Sequence, residues 1–217
     1  METRSTELIV LGHTKVGEST IVAHTLSPDF GRRGFLLNAS RKSPTALIQP
    51  LSIVSAEIVP NSKSELWRVR GLRLEYPLAG LRGDVGKSAV TMFISEVLYR
   101  TVREGDYEEG LYEWCRGSIL TLDALESDWA NYPLLFLLEL CGALGFAASI
   151  DDLAPFVDDR YSEFLALTRS SRSEALLLPL SGVIRNSMCQ SLLRYLSFHT
   201  DSRIDIRSLG VLRELWR

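Results

Sequence analysis

Cysteine is scarce in this sequence, and its apolar runs are short. The 217 residues include three cysteines, Cys115, Cys141 and Cys189, which are far apart and odd in number. This pattern favours buried thiols in a reducing cytoplasm over a disulfide framework. The most apolar stretch, 134–148, is interrupted by Glu139, and no uncharged run reaches the ~18 residues that a membrane span needs. We therefore expect a cytoplasmic protein without a membrane segment.

Histidine is equally scarce, which bears on metal and catalytic sites. His13, His24 and His199 are isolated from the cysteines, and no pair has zinc-ligand spacing. Paired acidic residues lie at expected turns and helix starts, where solvation and capping explain them better than acid–base catalysis. The local sequence indicates no Ser, His and Asp set, although local sequence does not address a set assembled only by the fold. We expect no metal, no cofactor and no enzymatic activity.

One segment comes close to a phosphate-binding loop. Residues 80–88 end in Gly86, Lys87 and Ser88, but a P-loop needs glycine six residues before the lysine, and Leu81 occupies that position. The surrounding sequence also lacks the βαβ pattern that a P-loop requires. We interpret the segment as a loop that enters a helix, and we expect no nucleotide turnover.

Charge is distributed unevenly along the chain. The net charge of −3 argues against a uniformly basic nucleic-acid binder. Residues 1–76 nevertheless contain ten Lys and Arg against seven Asp and Glu, an excess of +3, whereas residues 77–217 contain fourteen against twenty, a deficit of −6. A local basic field is therefore expected on the N-terminal part.

The N-terminal part has the pattern of short antiparallel strands. Five runs rich in Val, Ile, Leu or Thr are bounded by Gly, Pro, Ser or Asn. They are 8–11, 20–26, a short run around Phe35, 51–59 and 66–74. Five strands in about seventy residues suit a small closed barrel of the OB type, a fold that binds nucleic acid.

Alternation is clearest in the fifth run. A half-buried strand with this sequence directs Arg68 and Arg70 outward and Trp67 and Val69 inward.

The hydrophobic period changes near Pro77, which predicts an α+β protein with an OB-fold barrel over 1–77 and an all-helical domain over 78–217. Asp84 is a plausible N-cap for a helix with an apolar stripe. The stripe consists of Val90, Phe93, Ile94, Val97 and Leu98. Further helices are predicted over 107–125, 133–145, 178–198 and 208–216, and a small hairpin over 156–164.

Cations cluster on the predicted barrel. They are Arg32, Arg33, Arg41, Lys42, Lys63, Arg68, Arg70 and Arg73. Any one of them is as well explained by a solvated surface. Three aromatic residues lie nearby in the sequence, Phe30, Phe35 and Trp67, and each is either a stacking group or part of the core. Cations together with stacking aromatic rings are the combination that holds single-stranded nucleic acid. We therefore predict DNA contacts at these eight cations.

Several stretches in order resemble the RecO family of bacterial DNA repair proteins along most of the chain. In the barrel they are residues 17–25, 31–32, 39–43 and 47–51, and in the helical part 94–98, 136–146 and 208–212. The resemblance implies a non-enzymatic, nucleoid-associated protein that binds and anneals single- and double-stranded DNA. It also implies that the protein acts with RecR, and in many members RecF, to load recombinase onto strands coated by single-strand-binding protein.

The resemblance has two further implications. Many members carry a four-cysteine zinc site after the helix that ends in Leu144-Gly145-Phe146, but residues 147–164 contain no cysteine, so the zinc-free type is expected. The acidic C-terminal tail of single-strand-binding protein is expected to dock on the helical domain. Arg185 and Arg194, which we expect on roughly the same side of one helix, are predicted to bind it. The alternative is a protein-docking scaffold with little DNA affinity of its own.

Overall fold

The computed structural model describes residues 3–38, 47–61, 64 and 66–216. The chain divides into two compact units. The first consists of Met1–Leu78 and Val102–Ile119, and the second of Ala79–Thr101 and Leu120–Arg217. The first unit therefore contains a segment from the helical half of the sequence in addition to the predicted strands.

The strands of the first unit close into a barrel. They are β1 (Arg4–Lys15), β2 (Thr20–Ser27), β3 (Gly31–Asn38), β4 (Ile53–Val59) and β5 (Trp67–Leu74). Their order around the barrel is β1-β2-β3-β5-β4, in which only β3 and β5 are parallel. The prediction of a five-stranded OB-fold barrel followed by a helical region is confirmed.

Strand β1 is much longer than the predicted run of 8–11. Its first half pairs with β4, from Arg4 opposite Ile58 to Ile9 opposite Ile53. Its second half pairs with β2 and shifts register between Val10 and Gly12. Such a shift marks a β-bulge, which bends a strand and increases its twist. The bend allows β1 to join both partners, and this joining closes the barrel.

The barrel core is built from alternate residues of the strands, as period-2 patterning predicts. Phe35 at its centre is fully buried. Around it lie Leu8, Val10, Ile21, Ala23, Leu37, Ile48, Val54, Ala56, Ile58 and Val69. Burial of this many apolar side chains is the main stabilising contribution to the barrel.

Strand β5 follows the predicted register only up to a bulge. Arg68 and Arg70 are exposed and Val69 is buried, as expected, while Trp67 is partly buried against the core. At Gly71 the backbone is left-handed, with φ +63°, and the pairing with β4 skips a residue. Glycine adopts this conformation without steric cost. Beyond it Leu72 packs against the core.

The helices that the sequence predicted are present with similar ends, and the described residues form four further short helices that were not predicted. In chain order the helices are α1 (Ala79–Gly83), α2 (Val85–Thr101), α3 (Leu111–Ala124), α4 (Tyr132–Ala143), α5 (Ile150–Leu153), α6 (Tyr161–Arg169), α7 (Arg172–Leu177), α8 (Gly182–His199) and α9 (Ser208–Leu215), with a 3-10 turn at Trp129–Asn131. Asp84 accepts a hydrogen bond from the Lys87 amide at 2.9 Å, which confirms it as the N-cap of α2. The predicted stripe of α2 is buried.

The prediction of a hairpin over 156–164 is wrong. The backbone turns at Val157, whose carbonyl accepts the Arg160 amide, and α6 then begins at Tyr161. Phe164 and Leu167 are both buried. A spacing of three residues puts these two side chains on the same face of a helix, whereas a strand would put them on opposite faces.

The near P-loop serves helix packing in the second unit. A Cβ on Gly80 would lie 2.1 Å from the Asp123 carbonyl oxygen, and a Cβ on Gly86 would lie 2.1 Å from the Trp129 ring. Lys87 is buried, and its ammonium group donates to the carbonyls of Asp123 and Leu125 at the end of α3. A cation is favourable at a helix C-terminus. Close packing therefore explains Gly80 and Gly86, and capping of α3 explains Lys87.

We predict that the native protein resists thiol reagents. Cys115, Cys141 and Cys189 are fully buried, and burial raises the pKa of all three thiols, that of Cys141 to about 12. The reactive thiolate is therefore nearly absent at pH 8. Ellman's reagent should label no cysteine in the folded protein and three in guanidinium chloride. Rapid labelling of the native protein would contradict this burial.

We predict that Glu96→Gln destabilises the helical unit at neutral pH. The Glu96 carboxylate caps α9 and accepts the Arg207 amide at 3.2 Å, the Ser208 amide at 2.9 Å and the Ser208 hydroxyl at 2.6 Å. Burial opposes ionisation of Glu96, but these hydrogen bonds outweigh it and lower the pKa of the carboxyl. Loss of a charged cap should lower the free energy of unfolding by about 1–2 kcal/mol.

The pH dependence tests the sign of this effect. The pKa of Glu96 is lower in the folded protein than in the unfolded chain. The stabilisation by the Glu96 carboxylate is therefore complete above the unfolded-state pKa, and it is lost as the pH falls through the folded-state pKa. Chemical unfolding of wild type and variant should therefore differ at pH 7 and converge in acid. Glu126→Gln, which removes an exposed carboxylate outside any helix, is the control. An equal effect of both substitutions at pH 7 would contradict the capping role.

Candidate nucleic-acid interface

The eight predicted DNA-binding cations fall into three groups. Arg41, Lys42 and Lys63 lie outside the described residues. The second group, Arg32 and Arg33, is on β3. The third group is on β5 and consists of Arg68, Arg70 and Arg73.

The two β3 arginines are already engaged within the first unit. The Arg32 guanidinium donates to the Val102 carbonyl at 2.9 Å, and the Arg33 guanidinium lies over the Trp67 ring, 3.7 Å from its centroid. Both side chains are partly buried. A guanidinium that stacks on an aromatic face and is partly desolvated contributes to local stability. These arginines therefore have structural contacts that any DNA contact must share or replace.

The β5 arginines are presented differently. Arg68, Arg70 and Arg73 are exposed, and none of them forms an ion pair with any described residue. We call this set the β5 arginine row. Its charges are solvated and free to neutralise phosphates.

The row borders a groove at the seam between β3 and β5. Within the part of the chain that the structure describes, these strands pair at two positions, Phe35 with Trp67 and Leu36 with Arg68, and a groove of about 490 Å³ lies beside the pairing. Arg68 and Arg70 contribute to its lining. The other lining residues are Thr20, Leu36, Leu37, Asn38, Leu47, Val69, Gly71 and Leu72. A groove that combines cations and polar groups with apolar side chains is suited to a polyanion that carries bases.

The aromatic candidates are mostly structural. Phe35 was expected to be either a stacking group or part of the core. It is fully buried, so it belongs to the core. Phe30 meets Phe35 and Trp67 edge to face, with ring centroids 6.3 Å and 5.5 Å apart. Trp67 also packs against the core and lies under Arg33. The barrel uses these rings mainly to cover one end of its core.

Sequence reasoning missed the segment Val102–Gly110, which we call the strap. It was predicted in part as the start of a helix, but α3 begins only at Leu111. The strap binds the edge of β3: the Gly105 amide donates to the Arg32 carbonyl at 3.0 Å, and Glu104 accepts the Gly34 amide at 3.0 Å. The two glycines within 103–110 are the only signal that could have indicated a non-helical segment.

His24 on β2 lies close to the strap and to Arg32. Its Nε2 is 3.0 Å from the Thr14 hydroxyl. Burial lowers the pKa of His24, and the charges of Arg32 and His13 lower it further against the opposing effect of Glu104. His24 is therefore neutral at physiological pH and adds no positive charge to this face.

The two arginines predicted to bind a partner peptide have separate surroundings. Arg185 donates to the Asn131 side chain at 2.8 Å, while the Asn131 amide donates to the carbonyls of Ala175, Leu176 and Leu178. Arg194 instead donates to the Phe156 carbonyl and the Asp158 carboxylate. Nine residues correspond to about two and a half helical turns, so the expectation that they share one side is wrong.

Arg194 belongs to a groove that the sequence did not reveal. Residues that line it include Arg203 and Phe198, and its volume is about 670 Å³. Phe198 is 70% exposed, which is unusual for so large an apolar side chain. Asp205 and Ile204 also line this groove, which we call the α8 groove. Cations beside an exposed apolar surface make it a candidate for an acidic, apolar-ended peptide.

The described residues offer neither a metal site nor a membrane span. No group of three His, Cys, Asp or Glu side chains could hold a metal ion there. No helix in that part of the chain is long and apolar enough to cross a bilayer.

Comparison with known proteins identifies the family. A family sequence model described as "Recombination protein O C terminal" matches residues 82–154. The chain is 29% identical to the DNA repair protein RecO of Phocaeicola vulgatus, over 96% of this chain and 97% of that protein. It is 26% identical to that of Flavobacterium psychrophilum, over 97% and 98%, and 30% identical to that of Bacteroides fragilis, over 66% and 61%. With the OB-fold barrel, these comparisons show that the chain is similar to RecO DNA repair proteins along almost its whole length.

Proposed function

We propose that the protein binds DNA through the β5 arginine row and the adjoining groove, and that it anneals strands as a non-enzymatic mediator of repair and recombination. The observation that carries this proposal is three solvated arginines beside an open groove on an OB-fold barrel. In this assignment residues 1–77 bind DNA and residues 78–217 dock partners.

The chemistry of the row favours contacts with phosphates. Guanidinium groups on a strand can neutralise phosphates in single- or double-stranded DNA, and phosphate contacts carry no direct sequence information. The described part of the barrel offers no helix on this surface to read base edges. Binding without strong sequence preference and with strong salt dependence is the expected result.

Similarity to RecO proteins supports a proposal for the partners of this mediator. We propose that it acts with RecR, and with RecF where that protein is present, to load recombinase onto strands coated by single-strand-binding protein. The acidic tail of that protein would enter the α8 groove, with its apolar end against Phe198 and its carboxylates near Arg194 and Arg203. This replaces Arg185 with Arg203 as the second cation, because Arg203 lines the groove together with Arg194 whereas Arg185 donates to Asn131 outside it.

We predict that Arg68→Ala/Arg70→Ala weakens DNA binding and flattens its salt dependence. Each lost phosphate contact should reduce the slope of log affinity against log salt by about 0.7 for single strands. Fluorescence anisotropy with a labelled oligothymidylate, titrated at several salt concentrations, measures this slope. The matched control is Arg169→Ala/Arg207→Ala, which removes two exposed arginines from the helical unit.

Two results would count against the assignment. Equal affinity and slope in the β5 variant and the wild type would place DNA on another surface. No binding by the wild type even at low salt would favour the alternative of a protein-docking scaffold, which the modest +3 excess of residues 1–76 leaves open.

We predict that a tail peptide binds with a dissociation constant in the micromolar range or weaker, about −8 kcal/mol or less favourable. Arg203→Ala and Phe198→Ser should each weaken binding, whereas Arg185→Ala should not. Isothermal titration of the peptide against each variant measures this, with Arg169→Ala as the control. If Arg185→Ala alone abolishes binding, the tail occupies a different site, and absence of any wild-type binding rejects tail docking for this protein.

A further inference from the structure

The edge of β3 is shared between two partners. Among the described residues, strand β5 pairs with it at Phe35 and Leu36, and the preceding residues 31–34 form no ladder pair with β5 there. The strap supplies their contacts. Along this part of the strand, the strap and β3 exchange three hydrogen bonds: from the Gly105 amide to the Arg32 carbonyl, from the Gly34 amide to Glu104, and from the Arg32 side chain to the Val102 carbonyl.

The contact is close enough to depend on glycine. Gly31 is left-handed, with φ +59°, and a Cβ there would lie 2.0 Å from the Asp106 carbonyl oxygen. At Gly34 a Cβ would lie 3.3 Å from Glu104 Oε1, 3.3 Å from Val22 Cγ1 and 3.4 Å from Leu66 Cδ2. Glu104, Val22 and Leu66 therefore lie closely around Gly34, and Gly31 packs against the strap backbone at Asp106.

That outer face is the surface through which OB folds commonly bind oligonucleotides, together with the β1–β2 and β4–β5 loops. Here the strap lies against β3, next to this surface, and carries charge of the same sign as DNA. Its carboxylates are Glu104, Asp106, Glu108 and Glu109, all exposed, against the single cation Arg103. The Glu104 carboxylate accepts a backbone amide of β3, a position in which a phosphate oxygen could serve equally well.

We infer that the strap is a built-in occupant of the β2–β3 surface, which excludes DNA from it and confines the strand to the β5 side of the barrel. Glu104 is the positioning residue, because its carboxylate holds the strap on β3. This inference rests on the proposed DNA-binding function. A purely structural strap would protect a strand edge from pairing with other chains, and it would have no effect on where DNA binds.

Two substitutions at Glu104 separate anchoring from charge. Glu104→Gln removes one negative charge but keeps an oxygen that can accept the Gly34 amide, whereas Glu104→Ala removes both. We expect Glu104→Ala to expose the β2–β3 surface, to strengthen binding and to steepen the salt slope by about 0.7 for each additional phosphate that the protein neutralises. Glu104→Gln should leave the slope unchanged. Glu126→Gln controls for total charge.

Cross-linking locates the DNA directly. An oligothymidylate containing 4-thiothymidine is irradiated with the full-length protein, and the adducts are identified by mass spectrometry. In wild type and Glu104→Gln we expect adducts in the peptides of β5 and none in those of β2. In Glu104→Ala, adducts in Thr20–Ser27 should appear. Amide exchange of the wild type with and without oligothymidylate serves as a second measurement that needs no variant: β5 should become more protected and residues 31–34 should not.

The possible outcomes separate a failure of this inference from a failure of the proposed DNA-binding function. Wild-type adducts or DNA-induced protection on β2 and at residues 31–34 would overturn the inference while leaving DNA binding intact. The inference would also be overturned if the Glu104→Ala variant is folded by circular dichroism but gives the same adducts and the same salt slope as Glu104→Gln. Failure of wild type and all variants to bind oligothymidylate would overturn the proposed function, and this inference with it.

Discussion

Closure of the barrel is the constraint on which the rest of the first unit depends. A closed sheet has no exposed edge, and here closure requires that β1 pair with β2 and β4 and that β3 and β5 meet in parallel. The β3–β5 junction is the weakest part of this circuit, with two residue pairs. On one side of it the strands border a groove, and on the other the strap completes the edge. The groove and the strap therefore both lie beside the shortest described pairing in the barrel.

The same junction explains why cations that look equivalent in sequence differ in the fold. Arg32 and Arg33 lie on the strand that the strap and Trp67 cover, so their guanidinium groups are used within the protein. Arg68 and Arg70 lie on a strand whose outer face is open. A charge that already has a buried partner gives up that interaction when it binds DNA, whereas a solvated charge gives up only water and counterions. The exposed row is consequently the better electrostatic site.

Buried polar groups organise the second unit in a comparable way. Lys87 caps the end of α3, Glu96 caps the start of α9, and Asn131 accepts from Arg185 while donating to three carbonyls around α7. Each joins elements that are far apart in sequence. Because an unsatisfied buried polar group is costly, these contacts restrict how the helices can pack, in addition to the nonspecific burial of apolar faces.

Elements with a local signal could be predicted before the fold was known. Period-2 alternation predicted the strands and the outward direction of Arg68 and Arg70, the stripe from Val90 to Leu98 predicted α2, and Asp84 was recognised as its N-cap. The number and close spacing of the strand-like runs predicted a small closed barrel. These predictions succeed because propensity, spacing and capping act within one or two turns or a single strand.

Features that depend on distant partners could not be predicted in this way. The full length of β1 requires β2 and β4, the strap requires the uncovered edge of β3, and the α8 groove requires Arg203 to approach Phe198. Gly71 shows the same limit on a smaller scale, since strict alternation gives no warning of the bulge that turns Leu72 to the core. The availability of a cation or the register of a strand is set by long-range hydrogen bonds and packing, which have no period in the sequence.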